Sequence, residues 1–168
     1  MIQIFEWLEA TWIATFVRES PSLLGYTAFL SLHAMGLAIV VGINTAIALR
    51  LLGFARGVPV APLLKLFPVM YAGFTVNTIS GAGLFAASAT SLISNAMFLW
   101  KIAFVVLGIV SIELLRAKVF SGDALQSDGA LPPRAKMYAC LSILCWFAAI
   151  VSGRLTAYPN FVSTLLGN

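Results

Sequence analysis

Four long apolar runs, parted by short polar or proline-bearing breaks, decide what solvent this chain folds in. They cover about 21–52, 66–92, 96–120 and 134–158, and each exceeds the roughly 20 residues a helix needs to cross a hydrocarbon core about 30 Å thick. Of the 168 residues, 61% are hydrophobic and 10% charged, where a soluble domain carries about a quarter charged residues. Mean hydropathy is +0.99. One small core cannot bury that much apolar surface, so lipid covers it. Inside lipid every backbone N–H and C=O must find a partner within its own segment, which selects helices. The sequence therefore predicts an all-α fold: an integral membrane four-helix bundle with an N-terminal interfacial amphipathic helix, in one transmembrane domain over 1–168.

The interfacial helix is expected at about 1–19. Gln3, Glu6 and Glu9 recur every three residues beside Trp7, Trp12 and Phe16, a polar edge on an aromatic segment that suits the headgroup layer. With no basic start, and with Glu6 and Glu9 interrupting the apolar stretch, it reads as a retained segment and not as a cleaved signal. Ser20-Pro21 reads as the start of the first span, Ser as cap and Pro at the first helical position. Gly53 reads as its stop. A helix over 21–52 would be roughly 48 Å long, so it must tilt, bend or project. Ser94-Asn95 offers a cap to the third span, and Pro132-Pro133 opens the fourth, which Pro159 closes. Ser121 to Pro133 reads as a solvent loop, and Asn160 to Asn168 as a short tail at the interface.

Charge placement sets orientation. Arg50, Arg56, Lys65, Arg116, Lys118, Arg134 and Lys136 flank the first and third connections, seven against the three (Arg18, Lys101, Arg154) on the opposite side. The positive-inside rule puts the seven in the cytoplasm of a bacterial inner membrane and both termini on the periplasmic side. The net charge of +4 is thus a topology signal and not a nucleic-acid footprint. The expected partners are the lipid bilayer and either other membrane subunits or further copies of the chain. Cys140 and Cys145 are five residues apart, roughly 140° around a helix, and read as small apolar residues and not as a disulfide.

Ionisable groups within a membrane are costly and usually face a bundle interior or water. His33, the one histidine, lies well inside the first span. It is a candidate axial haem ligand, metal ligand or proton relay, or else a bundle histidine hydrogen-bonded to a neighbour. Asn44 follows eleven residues later on the same helical face, which also carries Gly36 and Val40. Lys101 and Arg154 fall near the outer ends of their spans; they either snorkel to headgroups or clamp an anionic group above a cofactor held by His33. Tyr158, one turn past Arg154, would line the rim. Glu113 cannot reach Lys101, twelve residues away and about 120° around the helix, so it needs a partner from another helix or a proton. Asn77 reads as an interhelical hydrogen bond. Gly73, Asn77, Ser80 and Gly81 form a small-residue face suited to close helix approach. The methionines are scattered, with no M-x-x-M pair for a copper relay. No nucleophile–base pair, phosphate loop or multi-residue metal motif is present in the sequence, so a non-catalytic role is expected.

The segments His33-Ala34-Met35-Gly36-Leu37, Gly42, Leu49-Arg50-Leu51-Leu52-Gly53, Phe98-Leu99-Trp100-Lys101 and Ser152-Gly153-Arg154-Leu155-Thr156-Ala157-Tyr158 resemble a family of bacterial four-helix inner-membrane proteins. That family is similar to the membrane part of copper-resistance protein D-like and cytochrome b561-like proteins. The resemblance runs from about Phe5 to Tyr158 and implies that His33, Lys101 and Arg154 are signature positions of one outward-facing site. Cytochrome b561-like bundles hold each haem with more than one histidine, whereas this sequence has one. The expected function is a non-catalytic subunit of a redox or respiratory membrane assembly holding a haem b or a quinone near His33. The alternatives are a copper-handling protein with His33 as metal ligand, or a scaffold with no ligand.

Overall fold

In the computed structural model, which describes residues 2–120 and 133–158, every regular element is helical. The segment expected to be one interfacial helix is two: α1 (Ile2–Glu9) and α2 (Trp12–Glu19). Thr11 makes the break. Its hydroxyl donates to the Leu8 carbonyl at 2.7 Å and accepts from the Ala14 N–H at 3.4 Å, closing one helix and capping the next. Trp7 and Trp12 remain exposed, while Ala14 and Val17 are fully buried.

Four longer helices follow: α3 (Tyr26–Leu52), α4 (Phe67–Ala86), α6 (Ala96–Val119) and α7 (Pro133–Leu155), with the short α5 (Ala89–Ile93) after α4. The expected start of the first span at Pro21 is corrected to Tyr26. Ser20 ends α2, its N–H bonding the Phe16 carbonyl, and the Ser20 and Ser22 hydroxyls bond each other at 2.9 Å, holding a turn that closes at Gly25. At 27 residues α3 is about 40 Å long, so it overhangs the hydrocarbon less than expected. Gly53 ends it in the left-handed region (φ 105°), with the Phe54 N–H returning to Leu49. The second expected span also divides, α4 stopping at Ala86 before α5. Asn95 caps α6 through Met97 at 2.9 Å, as its sequence suggests. The expected loop at 121–133 and tail at 160–168 lie outside the described residues, save that Pro133 opens α7.

Among the described residues, three helices are long and apolar enough to cross a membrane: Tyr26–Leu52, Ala96–Val119 and Arg134–Leu155. The chain is thus a membrane protein with large apolar side chains, such as Met35, Ile79, Val106, Leu144 and Phe147, exposed all around its long helices. The 20-residue α4 is not among the three. Gly73, Thr75, Asn77, Thr78, Ser80, Gly81 and Gly83 lower its apolar content.

These small residues let α4 lie directly on α3. A Cβ at Gly36 would come within 2.7 Å of the Asn77 nitrogen and the Gly73 oxygen, and one at Gly73 within 2.6 Å of Ile39. Helix α3 also packs on α7, and α7 on α6. The buried core gathers Val40, Ile47 and Leu51 late in α3, Phe67 and Met70 early in α4, Ile112 and Leu115 late in α6, and Trp146 in α7. It lies toward the end where α3 finishes and α4 begins. The opposite end, nearer the start of α3, holds His33 and is built differently.

Candidate functional site

His33 lies two turns into α3 and is half-buried against α4. Its Nδ1 is 2.9 Å from the Asn77 carbonyl oxygen. A carbonyl only accepts, so Nδ1 carries the proton and donates it. Asn77 returns the contact, its Nδ2 donating to the His33 carbonyl at 2.7 Å. Ser80 adds a hydroxyl bond of 3.1 Å to that Asn77 oxygen. One turn beyond Asn77, Gly81 leaves the imidazole lying on bare backbone: a Cβ there would stand 2.8 Å from Cε1 and 3.0 Å from Nδ1. The neutral ring then has its lone pair on Nε2. That atom has no hydrogen-bond partner among the described residues.

Lys101 stands on α6 and faces α7. Its stem passes over Gly153 of α7, where a Cβ would lie 3.2 Å from Cδ and 3.5 Å from Cε. Only partly exposed, it makes neither an ion pair nor a hydrogen bond among the described residues. Each ionisable side chain thus lies on a glycine of a neighbouring helix, His33 of α3 on Gly81 of α4 and Lys101 of α6 on Gly153 of α7.

The other residues expected at this site stand apart. Arg154 donates to the Tyr158 hydroxyl at 3.0 Å and covers its ring at 5.3 Å; both side chains are exposed at the end of α7 and neither has a described contact with His33 or Lys101. Asn44 is about 16 Å along α3 from His33. It is buried among core residues, with its Nδ2 unpartnered among the described residues. The described residues include no group of three His, Cys, Asp or Glu side chains placed to hold a metal.

Glu113 finds the partner from another helix that its position demanded. The Tyr71 hydroxyl of α4 donates to its carboxylate at 2.5 Å, and Arg116, one turn along α6, stands 3.9 Å from it and donates to Tyr71 at 3.2 Å. Sequence reasoning missed Tyr71, because α4 and α6 meet only in three dimensions. Gly81 was visible in a small-residue face; that it makes room for His33, and Gly153 for Lys101, was not. No family model, curated protein or solved structure matches the chain.

Proposed function

We propose that the chain is a non-catalytic subunit of a redox or respiratory assembly in a bacterial inner membrane, crossing it four times with both termini outside, and that it holds a quinone, in either redox form, at His33. The observation carrying this reading is the divided imidazole, with Nδ1 fixed on the Asn77 carbonyl and Nε2 left open, in a bundle whose Lys101 has no ion pair among the described residues. An open polar group of that kind in a membrane protein calls for a ligand. A haem fits less well. A haem with two histidine ligands would need a second histidine that this sequence does not have, and glycine contacts close the α3–α4 seam beside His33. A copper site lacks co-ligands among the described residues.

Helix α4 as a fourth span is supported by where its polar atoms go. Thr75 bonds the Tyr71 carbonyl at 2.9 Å, Ser80 the Val76 carbonyl at 2.6 Å, and Asn77 bonds His33, so these three side chains need no water. The outward position of the His33 end rests on the seven-to-three division of basic residues. One observation favours a second reading, a ligand-free scaffold: the reciprocal His33–Asn77 pair also ties α3 to α4.

Quinone content of the purified protein separates the two readings. A replacement His33→Asn keeps a donor for the Asn77 carbonyl while deleting the Nε2 position. Quinone that copurifies with the wild type and is lost from this variant, at unchanged thermal stability, is the expected result. Equal or zero quinone in both proteins would establish the scaffold.

A further inference from the structure

The four long helices pack in the order α4, α3, α7, α6. The two at the ends of that row, α4 and α6, meet chiefly through side chains: the Phe67 and Phe120 rings at 5.4 Å, and Tyr71 with Glu113 and Arg116. Further along the helices a cavity of about 20 Å³ remains, partly open and lined from all four. Its floor is buried, with Val40 of α3, Met70 of α4 and Trp146 of α7, while Tyr71, Phe74 and Ile109 at its sides are partly exposed. A water could fit but needs at least two polar partners, and the surface facing the hollow is apolar. A hydrocarbon chain is the filling that a bilayer supplies.

The mouth carries a charge suited to the other end of a lipid. Arg116 stands one turn from the end of α6, its guanidinium 5.9 Å from the Phe67 ring centre and 5.7 Å from that of Tyr71. Its Nη1 donates to the Tyr71 hydroxyl at 3.2 Å and lies 3.9 Å from the Glu113 carboxylate. Nε and Nη2 have no partner among the described residues, and the side chain is half-exposed. A guanidinium held on two rings with one edge open suits two phosphate oxygens. Glu113 is the one acid described at this end and already accepts from Tyr71, whereas Arg50, Lys65, Lys118, Arg134 and Lys136 share the end with Arg116. Ile109 lies about 10 Å further along α6, so a chain hanging from a phosphate at Arg116 reaches the hollow. We propose that the α4–α6 crevice binds one anionic phospholipid, its phosphodiester on Arg116 and one acyl chain in the hollow floored by Val40 and Trp146. Tyr71 and Glu113 are positioning residues that hold Arg116. The site lies at the opposite end from His33 and stands whether or not a quinone binds there.

The test is native mass spectrometry of the full chain in detergent, titrated with dioleoyl phosphatidylglycerol and dioleoyl phosphatidylcholine. One phosphatidylglycerol should bind in preference to phosphatidylcholine, whose choline brings a cation to a basic end. Arg116→Gln, which can still donate to Tyr71, should weaken phosphatidylglycerol about tenfold, the weight of one charge-assisted contact. Arg56→Gln deletes an equal charge whose Nε is held by the Gly53 carbonyl, and should change binding less than about threefold. Ile109→Trp, filling the hollow from α6, should weaken both lipids; Phe74→Trp fills it from α4 and gives the same reading should the first variant unfold. Equal affinity for the two lipids overturns the inference. Equal losses in Arg116→Gln and Arg56→Gln also overturn it, because the attraction would belong to the basic end as a whole. Wild-type binding in a folded tryptophan variant overturns it too, since no chain would then occupy the hollow.

Discussion

At the scale of single residues, His33 and Asn77 form the most informative pair in the molecule, because one contact does two things. It joins α3 to α4 through two hydrogen bonds, 2.9 and 2.7 Å long, and it decides which imidazole nitrogen stays free. Interhelical bonds in membranes average about 0.6 kcal/mol each. Asn77→Ala removes the Nδ2 bond but keeps the main-chain carbonyl that holds Nδ1, so it should cost about 0.6 kcal/mol of stability in detergent unfolding and leave the imidazole tautomer, and with it ligand retention, unchanged. Wild-type stability would deny the Nδ2 bond its weight, and loss of quinone would contradict the main-chain carbonyl as the group that fixes the tautomer. His33 and Lys101 were legible as candidates from the cost of ionisable groups in apolar runs. Their surroundings were not, because Asn77 is 44 residues from His33. Arg154 and Tyr158 were legible as neighbours, one helical turn apart, and the structure pairs them with each other and not with His33.

At the scale of elements, the α3–α4 seam depends on side chains being absent. The atoms facing Gly36 are backbone, the Asn77 nitrogen and Gly73 oxygen at 2.7 Å, and backbone cannot turn aside. Gly36→Ala should separate the helices and cost about 1–3 kcal/mol. Gly42→Ala, with nothing within 4 Å of the added carbon, should leave stability unchanged or raise it slightly. Parallel unfolding of the two variants checks this, and equal losses would mean the seam is not tight. The N-terminal helices are held differently. The Glu9 carboxylate accepts from the Thr90 N–H at 2.8 Å and its hydroxyl at 2.7 Å, and Arg18 donates to the Ala87 carbonyl at 3.3 Å. The Thr90 hydroxyl, then the Thr90 N–H, hold the Glu9 carboxyl below the usual glutamate range. A lowered folded-state value stabilises above the ordinary glutamate pKa, and this contribution is lost as pH falls through the folded value. Amide protection in α1 should accordingly drop as the pH is lowered through and below the ordinary glutamate range, and Glu9→Gln should flatten that response. An unaltered profile in Glu9→Gln would exclude the contact as its origin. Caps made by one residue with its neighbours, Asn95 and Gly53, were readable from sequence. Ser20-Pro21 was misread because Ser20 closes the preceding helix, and the break at Thr11 went unseen because nothing in the apolar pattern changes there.

At the scale of the whole molecule, the two ends have different purposes. Packed apolar side chains from α3, α4, α6 and α7 fill the end that carries Tyr71 and Glu113, whereas glycines and two unsatisfied polar groups shape the His33 end. Stability is thus concentrated away from the proposed site, and Trp146→Ala in the core should cost about 3–5 kcal/mol, far more than changes around His33; a loss no larger than that of Asn77→Ala would refute the division. Hydropathy made the membrane class legible, and three helices bear it out by length and composition. It could not decide α4, whose apolar content is diluted by the residues that pack it against α3. The number of crossings decides the whole arrangement: four return the chain to the side where it began, and three do not. The direct measurement is to place an accessible tag at each end of the chain and to probe intact spheroplasts and opened membranes. Both tags reacting from the periplasmic side is the expected result. Tags on opposite sides would mean that α4 does not cross the membrane, and both on the cytoplasmic side would turn the His33 end inward.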